Sequence, residues 1–328
     1  MRAGVGACRA DPHASLPRRK PKRFPNFTHQ STMRHSFILC FVLLVAAHST
    51  SGQTTSVAEY YGPYKFEAGK QCLVFSDTAY LRAAPATAAA IADTVFAFDR
   101  ISIVDTTGGL LTVGRKEAPW YRVRYRKAGK ERTAYLWGGA LAIHDFSKDG
   151  VQVACGLLSY PMADGWMKGE QPDGASLRDY NTFSIKAATG RGQQECRFNV
   201  YRESAYFQLP TDTNGVALPV ARTISGGVPP SARWMTTYGM SGEACGIPGY
   251  QLSAAWDGQR LIRMPMLQGV GDGGVYYDEQ FIFPGDRSGK PGVLRVRCET
   301  GESEDEEGDK MKVTVKWRDY RWDGNGWR

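Results

Sequence analysis

Trp120-Tyr121-Arg122-Val123-Arg124-Tyr125-Arg126-Lys127-Ala128-Gly129-Lys130-Glu131-Arg132-Thr133-Ala134-Tyr135-Leu136-Trp137 is the stretch that decides how this chain is built. Tyr121, Val123 and Tyr125 alternate with Arg122, Arg124 and Arg126, a period of two that gives a strand one buried and one wet face. The charged link from Arg126 to Glu131 contains Gly129, which tolerates the positive φ of a tight turn. Thr133 to Leu136 returns as a second strand, so the stretch predicts an antiparallel hairpin.

Further strand-like pieces lie upstream: Leu73-Val74-Phe75, Tyr80-Leu81-Arg82, Thr94 to Phe98, Ile101 to Val104 and Leu110 to Val113. A Thr-Thr-Gly-Gly turn is expected at Thr106 to Gly109. Short strands in quick succession predict a small closed or half-closed barrel over 71–143, preceded by an irregular linker, 53–70.

Ala79-Tyr80-Leu81-Arg82-Ala83-Ala84-Pro85, Trp120-Tyr121-Arg122-Val123 and Thr133-Ala134-Tyr135-Leu136-Trp137-Gly138 together resemble a bacterial Src-homology-3-like domain, over roughly 65 of the 328 residues. The resemblance implies a small β-barrel of the kind that cell-envelope proteins use as a binding module. Ala134-Tyr135-Leu136 stands where that family usually shows Gly-x-Val, a departure in the local turn. Tyr80, Trp120, Tyr121, Tyr135 and Trp137 are candidates for an aromatic groove that takes a peptide or a cell-wall stem. Arg82, Arg122 and Arg124 beside them suit an acidic ligand. The plainer reading places the aromatics in the barrel core and rim and the arginines on a solvated face.

Beyond a junction at His144 to Lys148, residues 148–328 read as a larger antiparallel all-β domain, a sandwich or a small propeller-like array of hairpins. Val151 to Leu157 has the apolar run of a buried strand, and Glu279 to Pro284 that of another, ending in a polar turn. Trp256-Asp257-Gly258 and Trp322-Asp323-Gly324 echo one another, each predicting a two-residue hairpin turn. From Ala244-Cys245-Gly246 to Trp322-Asp323-Gly324 the chain is similar to the C-terminal part of secreted bacterial proteins that carry the same module. That similarity implies an extracytoplasmic accessory domain and no known reaction. The fold class expected is therefore mainly β throughout.

The first 52 residues read differently. Arg34-His35, the apolar run Phe37 to Ala47 and the small residues Ser49-Thr50-Ser51-Gly52 have the order of a secretory signal peptide, with Met33 as the expected start. The run is too short to cross a bilayer of roughly 30 Å, so no integral membrane span is expected. Formal net charge is +8, but eight of the 41 Lys and Arg and one of the 33 Asp and Glu fall in this leader. The remainder is near neutral, which removes the electrostatic footprint of a nucleic-acid binder.

Five of the seven cysteines lie beyond the leader: Cys72, Cys155, Cys196, Cys245 and Cys298. Their wide spacing holds no Cys-x-x-Cys pair to suggest zinc or a redox motif, and the oxidising compartment of an exported protein predicts disulfides, with the four cysteines of the C-terminal half allowing three connectivities and Cys72 left over. His144 is the one histidine after the leader, so a nucleophile–histidine pair would have to use it and a multi-histidine metal centre is excluded. Gly269 to Gly274 lacks the Lys-Ser/Thr ending of a phosphate loop. Asp278 with Glu279, and Asp257, Asp286 and Asp323, are the carboxylates that glycoside hydrolysis would draw on. The acidic run Glu302 to Asp309 reads as a solvated hairpin loop.

These readings converge on an exported, periplasmic or extracellular, non-catalytic binding protein with no cofactor. Its expected partner is peptidoglycan or another cell-envelope polymer or protein. A glycan-active hydrolase using carboxylates of the second domain and a disulfide-stabilised structural or adhesive protein are the alternatives.

Overall fold

The computed structural model describes residues 64–113, 116–158, 180–201, 204, 206–209, 221–224, 228–242, 245–304 and 310–328. The expected leader, the linker up to residue 63 and the acidic run from 305 to 309 lie outside these residues. The described chain is mainly β and entirely antiparallel, as its alternating pattern requires. No helix in it is long and apolar enough to cross a membrane.

The first sheet is built from β1 (Gln71–Leu73), β2 (Thr78–Arg82), β3 (Ile91–Phe96), β4 (Arg100–Val113), β5 (Lys116–Lys127) and β6 (Lys130–Trp137), in the order β1-β4-β5-β6-β2-β3. The β5–β6 hairpin is the one predicted, with Tyr121, Val123 and Tyr125 buried. Its loop is Ala128-Gly129, with φ of 49° and 75°, the two positive values a type I′ turn demands. Asp149-Gly150 and Gly273-Gly274 close two later hairpins with the same sign pair.

Of the closed or half-closed barrel expected for this sheet the closed form is corrected, and so is one expected turn. No closed barrel forms among the described residues: β1 and β3 are free ends of the ladder, and β2 meets β6 at the single pair Arg82 and Tyr135. Nor does the chain turn at Thr106 to Gly109. It runs on as one fourteen-residue strand, and the surplus residues are absorbed by register shifts between Ile103 and Asp105 and between Thr106 and Leu110.

β7 (His144–Lys148), β8 (Val151–Leu158), β9 (Tyr180–Thr189) and β10 (Gly192–Tyr201) make a four-stranded sheet, order β10-β9-β8-β7. The predicted junction is thus strand β7, paired along its length with β8. The third sheet holds β11 (Tyr206–Gln208), β12 (Ala221–Arg222), β13 (Trp234–Ser241), β14 (Gly249–Trp256), β15 (Leu261–Arg263), β16 (Leu267–Asp272), β17 (Val275–Ile282), β18 (Leu294–Ser303) and β19 (Met311–Tyr320). Its main path runs β11-β13-β14-β16-β17-β18-β19.

One apolar cluster crosses all three sheets. Leu81, Val123 and Leu136 of the first, Val153, Phe183 and Phe198 of the second, and Trp234, Tyr238 and Leu252 of the third belong to it. Burying each Leu, Val or Phe side chain stabilises by about 1.5–3 kcal/mol, so this shared core ties the sheets together. Tyr64 and Phe66, from the segment expected as linker, are buried in the same cluster. Polar contacts reinforce the junction: the Lys186 ammonium on β9 donates to Phe75 O (3.0 Å) and Asp77 Oδ1 (2.6 Å), and Leu73 N donates to Asp145 Oδ2 (3.3 Å). A second cluster, around Met235, Ile262, Leu267, Phe281, Leu294 and Val296, fills the other side of β13 and β14.

The Trp-Asp-Gly echo is structural, with a different turn from the one expected. Each is a four-residue turn, Asp257–Arg260 between paired Trp256 and Leu261, and Asp323–Gly326 between paired Trp322 and Trp327. Asp257 Oδ1 accepts from the N–H of Gln259 and Arg260, and Asp323 Oδ1 from those of Asn325 and Gly326. The two turns touch through Arg260 Nη2 and Gly324 O (3.3 Å).

The predicted disulfides are absent: all five cysteines are unbridged. Cys155 and Cys196 share one cross-strand row, but Ile185 stands between them. Two strand spacings put their Cα atoms roughly 9–10 Å apart, beyond the ~7 Å a bridge can span. Cys72 and Cys298 lie in different sheets, and Cys245 sits exposed in the β13–β14 connection.

Candidate functional site

Strand alternation points Ala79 and Leu81 of β2 into the core and leaves Tyr80 and Arg82 on the outer face of the first sheet. Register then gathers partners that are far apart in sequence. Ile91, Arg82, Tyr135, Arg122 and Asp105 form one continuous row across β3, β2, β6, β5 and β4. Tyr80 lies beside the row and is 50% exposed, as is Ile91 at 53%, and Phe96 at 55% flanks them on β3.

The row is held in place by its own contacts. Arg82 Nη1 donates to Ala89 O (2.6 Å), tying the strand to the loop that follows it, and the guanidinium lies over the Tyr80 ring, 5.9 Å from its centroid. That bond uses one of five guanidinium donors; among the described residues the others make no protein hydrogen bond. Arg122 Nη2 pairs with Asp105 Oδ2 at 2.5 Å, while Arg122 Nε and Asp105 Oδ1 are buried without a hydrogen-bond partner among the described residues. The face therefore offers aromatic surface and, among the described residues, one uncompensated cation, Arg82. Such a set recognises a planar carboxylate through Arg and stacks an extended or ring-bearing ligand on Tyr. A cleft of about 210 Å³ opens at the far end of β3, lined by Thr94, Phe96, Arg100, Tyr125 and Lys127. It is below the ~300–1,000 Å³ of small-molecule pockets, which favours a ligand that lies across the surface.

The remaining aromatic candidates sit elsewhere. Tyr121 faces the core, its hydroxyl donating to Tyr64 O (2.8 Å) and accepting from Phe66 N (2.9 Å). Trp120 is buried opposite Trp137. Trp137 is half-buried, and its indole N–H is shared between Leu111 O (3.0 Å) and Ala118 O (3.1 Å). Beside it Lys116 is buried, donating to Gly139 O (2.5 Å) and lying 5.3 Å from the Trp137 ring and 5.8 Å from that of Tyr64. Burial lowers its pKa to about 8. These residues brace the β4–β5 hairpin against the sheet. Of the six candidates, the structure brings Tyr80, Arg82 and Tyr135 together on an open face and places Trp120, Tyr121 and Trp137 in supporting roles.

Among the described residues, the groups that the sequence offers for nucleophilic catalysis sit in unreactive settings. His144 stands directly opposite Cys155 in the β7–β8 ladder, a pairing the sequence did not disclose. Burial raises the Cys155 thiol far above its ordinary range and lowers the His144 imidazole. Both shifts disfavour the thiolate–imidazolium pair that a cysteine nucleophile requires. Burial likewise raises Cys72 and Cys196 to about 12. Among the carboxylates, Asp278 and Glu279 are consecutive on β17 and so point to opposite faces. Glu279 pairs with Arg318 and accepts from Gln268 N (3.1 Å) and the Tyr277 hydroxyl. Glu299 is opposite Asp278, but Tyr276 and Arg297 occupy its two oxygens. Asp257, Asp286 and Asp323 cap turns. No group of three or more His, Cys, Asp or Glu among the described residues could hold a metal ion.

Comparison with protein-family models, with curated proteins and with solved structures found no match. The site thus rests on its own geometry. Asp105 and Ile91 were missed from the sequence because only the non-local order β3-β2-β6-β5-β4 places them beside Arg82 and Tyr135.

Proposed function

We propose that this chain is an exported, non-catalytic binding protein of the bacterial cell envelope, and that the outer face of its first sheet contacts peptidoglycan or another envelope polymer or protein. The observation that carries the reading is the Tyr80–Arg82–Tyr135 group: an open aromatic surface with an Arg stacked on it, mounted on paired strands. The leader pattern and the resemblance to envelope-binding modules support the compartment. Peptide stems of peptidoglycan carry carboxylates and an extended backbone, which Arg and Tyr together recognise.

The test is co-sedimentation of the protein with purified sacculi. Wild type is expected to bind saturably, and Tyr80→Ala and Arg82→Ala to weaken binding about tenfold, the effect of losing about 1.4 kcal/mol of contact. Tyr80→Ala, an exposed change, should leave the melting temperature unaltered, while Arg82→Ala should lower it slightly through loss of the bond to Ala89 O without unfolding the protein. Unchanged binding in both folded variants would sink the reading. Trp120→Ala is the wrong probe, since a buried Trp contributes to stability whether or not a ligand exists.

A further inference from the structure

β19 is an amphipathic strand mounted with its apolar side outward. Met311, Val313, Val315 and Trp317 are 38–48% exposed and share one face of the sheet, while Lys312, Thr314, Lys316 and Arg318 point to the other. The core side is fixed by β18, whose Leu294, Val296 and Cys298 are buried and stand opposite Tyr320, Arg318 and Lys316. Trp317 carries the Arg295 guanidinium 4.0 Å from its ring centroid, on the outer face. β19 is also the end of its sheet: it pairs with β18 over ten residues, and among the described residues no strand pairs with its other edge. An edge of that length with unpaired backbone groups is a template for a further strand.

Charge decides what can dock there. Arg318 is committed to Glu279, Lys312 faces Glu302 with no ion pair among the described residues, and Lys316 faces Cys298. A second copy laid antiparallel on β19 would set Lys and Arg side chains near those of its partner, which repels. A strand with acidic residues on that side and apolar residues on the other satisfies both faces. We propose that the free edge of β19 is a docking site for an extended polypeptide segment of alternating acidic and apolar residues, which adds to the sheet by backbone pairing. Val313, Val315 and Trp317 receive its apolar side chains, and Lys312 and Lys316 its carboxylates. This site is independent of the first-sheet face.

The experiment uses the full chain and two labelled eight-residue peptides, one alternating Glu with Val and one alternating Lys with Val. Fluorescence anisotropy is expected to show saturable binding of the Glu peptide alone, with amide exchange slowed across 311–318. The double variant Lys312→Glu, Lys316→Glu should lose at least tenfold in affinity for the Glu peptide and gain affinity for the Lys peptide, with an unchanged melting temperature. Val315→Lys should weaken binding through the apolar face. The proposal is overturned if neither peptide binds, if charge exchange leaves the preference unaltered, or if protection appears away from β19. Concentration-dependent dimerisation that protects 311–318 without peptide would also overturn it, by making a second copy the occupant.

Discussion

Two tyrosines, both with no exposed surface, should respond in opposite ways to loss of one oxygen. The Tyr121 hydroxyl donates to Tyr64 O at 2.8 Å and accepts from Phe66 N at 2.9 Å, so Tyr121→Phe strands a buried carbonyl and a buried N–H. Each unsatisfied group costs about 1–3 kcal/mol, and partial relaxation of the 64–66 segment gives a net loss of about 2–4 kcal/mol. The Tyr238 hydroxyl lies beside the Thr236 hydroxyl and the Cys155 thiol but makes a well-formed hydrogen bond with neither. Tyr238→Phe removes a group that is already desolvated without compensation, so stability should be unchanged or rise by up to about 1 kcal/mol. Urea denaturation of both variants against wild type is the assay, with midpoints compared at constant slope. Equal losses for the two, or a loss under about 0.5 kcal/mol for Tyr121→Phe, would refute the reasoning, because it would mean that burial and not hydrogen bonding sets the value of these hydroxyls.

Other expectations follow from burial and charge. Lys116 titrates near pH 8 in the folded chain, below its value when unfolded, so the unfolded state binds more protons between about pH 8 and 10.5. Wild-type stability relative to Lys116→Met should therefore rise across that window, by at most about 3 kcal/mol, and chemical denaturation at stepped pH measures it. Asp257 is held below the usual carboxylate range: burial opposes this, but the Arg260 and Gln259 N–H groups and the Arg260 side chain outweigh it. Asp257→Ala should lower stability by about 1–2 kcal/mol at neutral pH, and the difference should shrink as acid begins to protonate the carboxylate in wild type, a trend readable from melting curves at pH 7 and pH 3. In native protein a maleimide reagent should label Cys245 while Cys72, Cys155, Cys196 and Cys298 react only after denaturation, as peptide mass mapping would show. Recovery of Cys155 linked to Cys196 in a disulfide-bonded peptide would contradict the cross-strand spacing argued above.

The fold was legible where local chemistry dictates it. Arg122, Arg124 and Arg126 against Tyr121, Val123 and Tyr125 announce a two-faced strand, and Gly129 announces the turn, because both signals act over neighbouring residues. What could not be read is pairing at a distance. Nothing in Ile91 or Asp105 marks either as a neighbour of Tyr135, and nothing in Val-Ala-Cys-Gly says that Ile185 will separate Cys155 from Cys196. The same blindness explains the candidate site. Aromatic residues at Trp120, Tyr121 and Trp137 carry the same compositional signal as Tyr80 and Tyr135, yet the β4–β5 hairpin engages Trp137, the 64–66 segment covers Tyr121, Trp120 is buried, and Tyr80 stays open.

β19 shows why alternation alone gives two faces without saying which is inside. Met311, Val313, Val315 and Trp317 would ordinarily be assigned to the core and Lys312, Thr314 and Lys316 to water. A slip of one residue against β18 would achieve that, since the side-chain period is two. Side chains on both faces oppose the slip. Asp319 pairs with Lys290 and Arg295 on the outer face, Arg295 covers Trp317 there, and Arg318 reaches Glu279 on the inner. Moving the strand by one position would send Arg318 outward and Asp319 and Trp317 inward, breaking the Glu279 pair and leaving that buried carboxylate without its counter-charge, at a cost of several kcal/mol. The apolar residues gained for the core would have to displace Lys312 and Lys316 from a side that those lysines, being exposed, do not fill. The register that exposes four apolar side chains is thus the one the charges select, and an exposed apolar stripe beside an unpaired edge is a surface shaped for another chain.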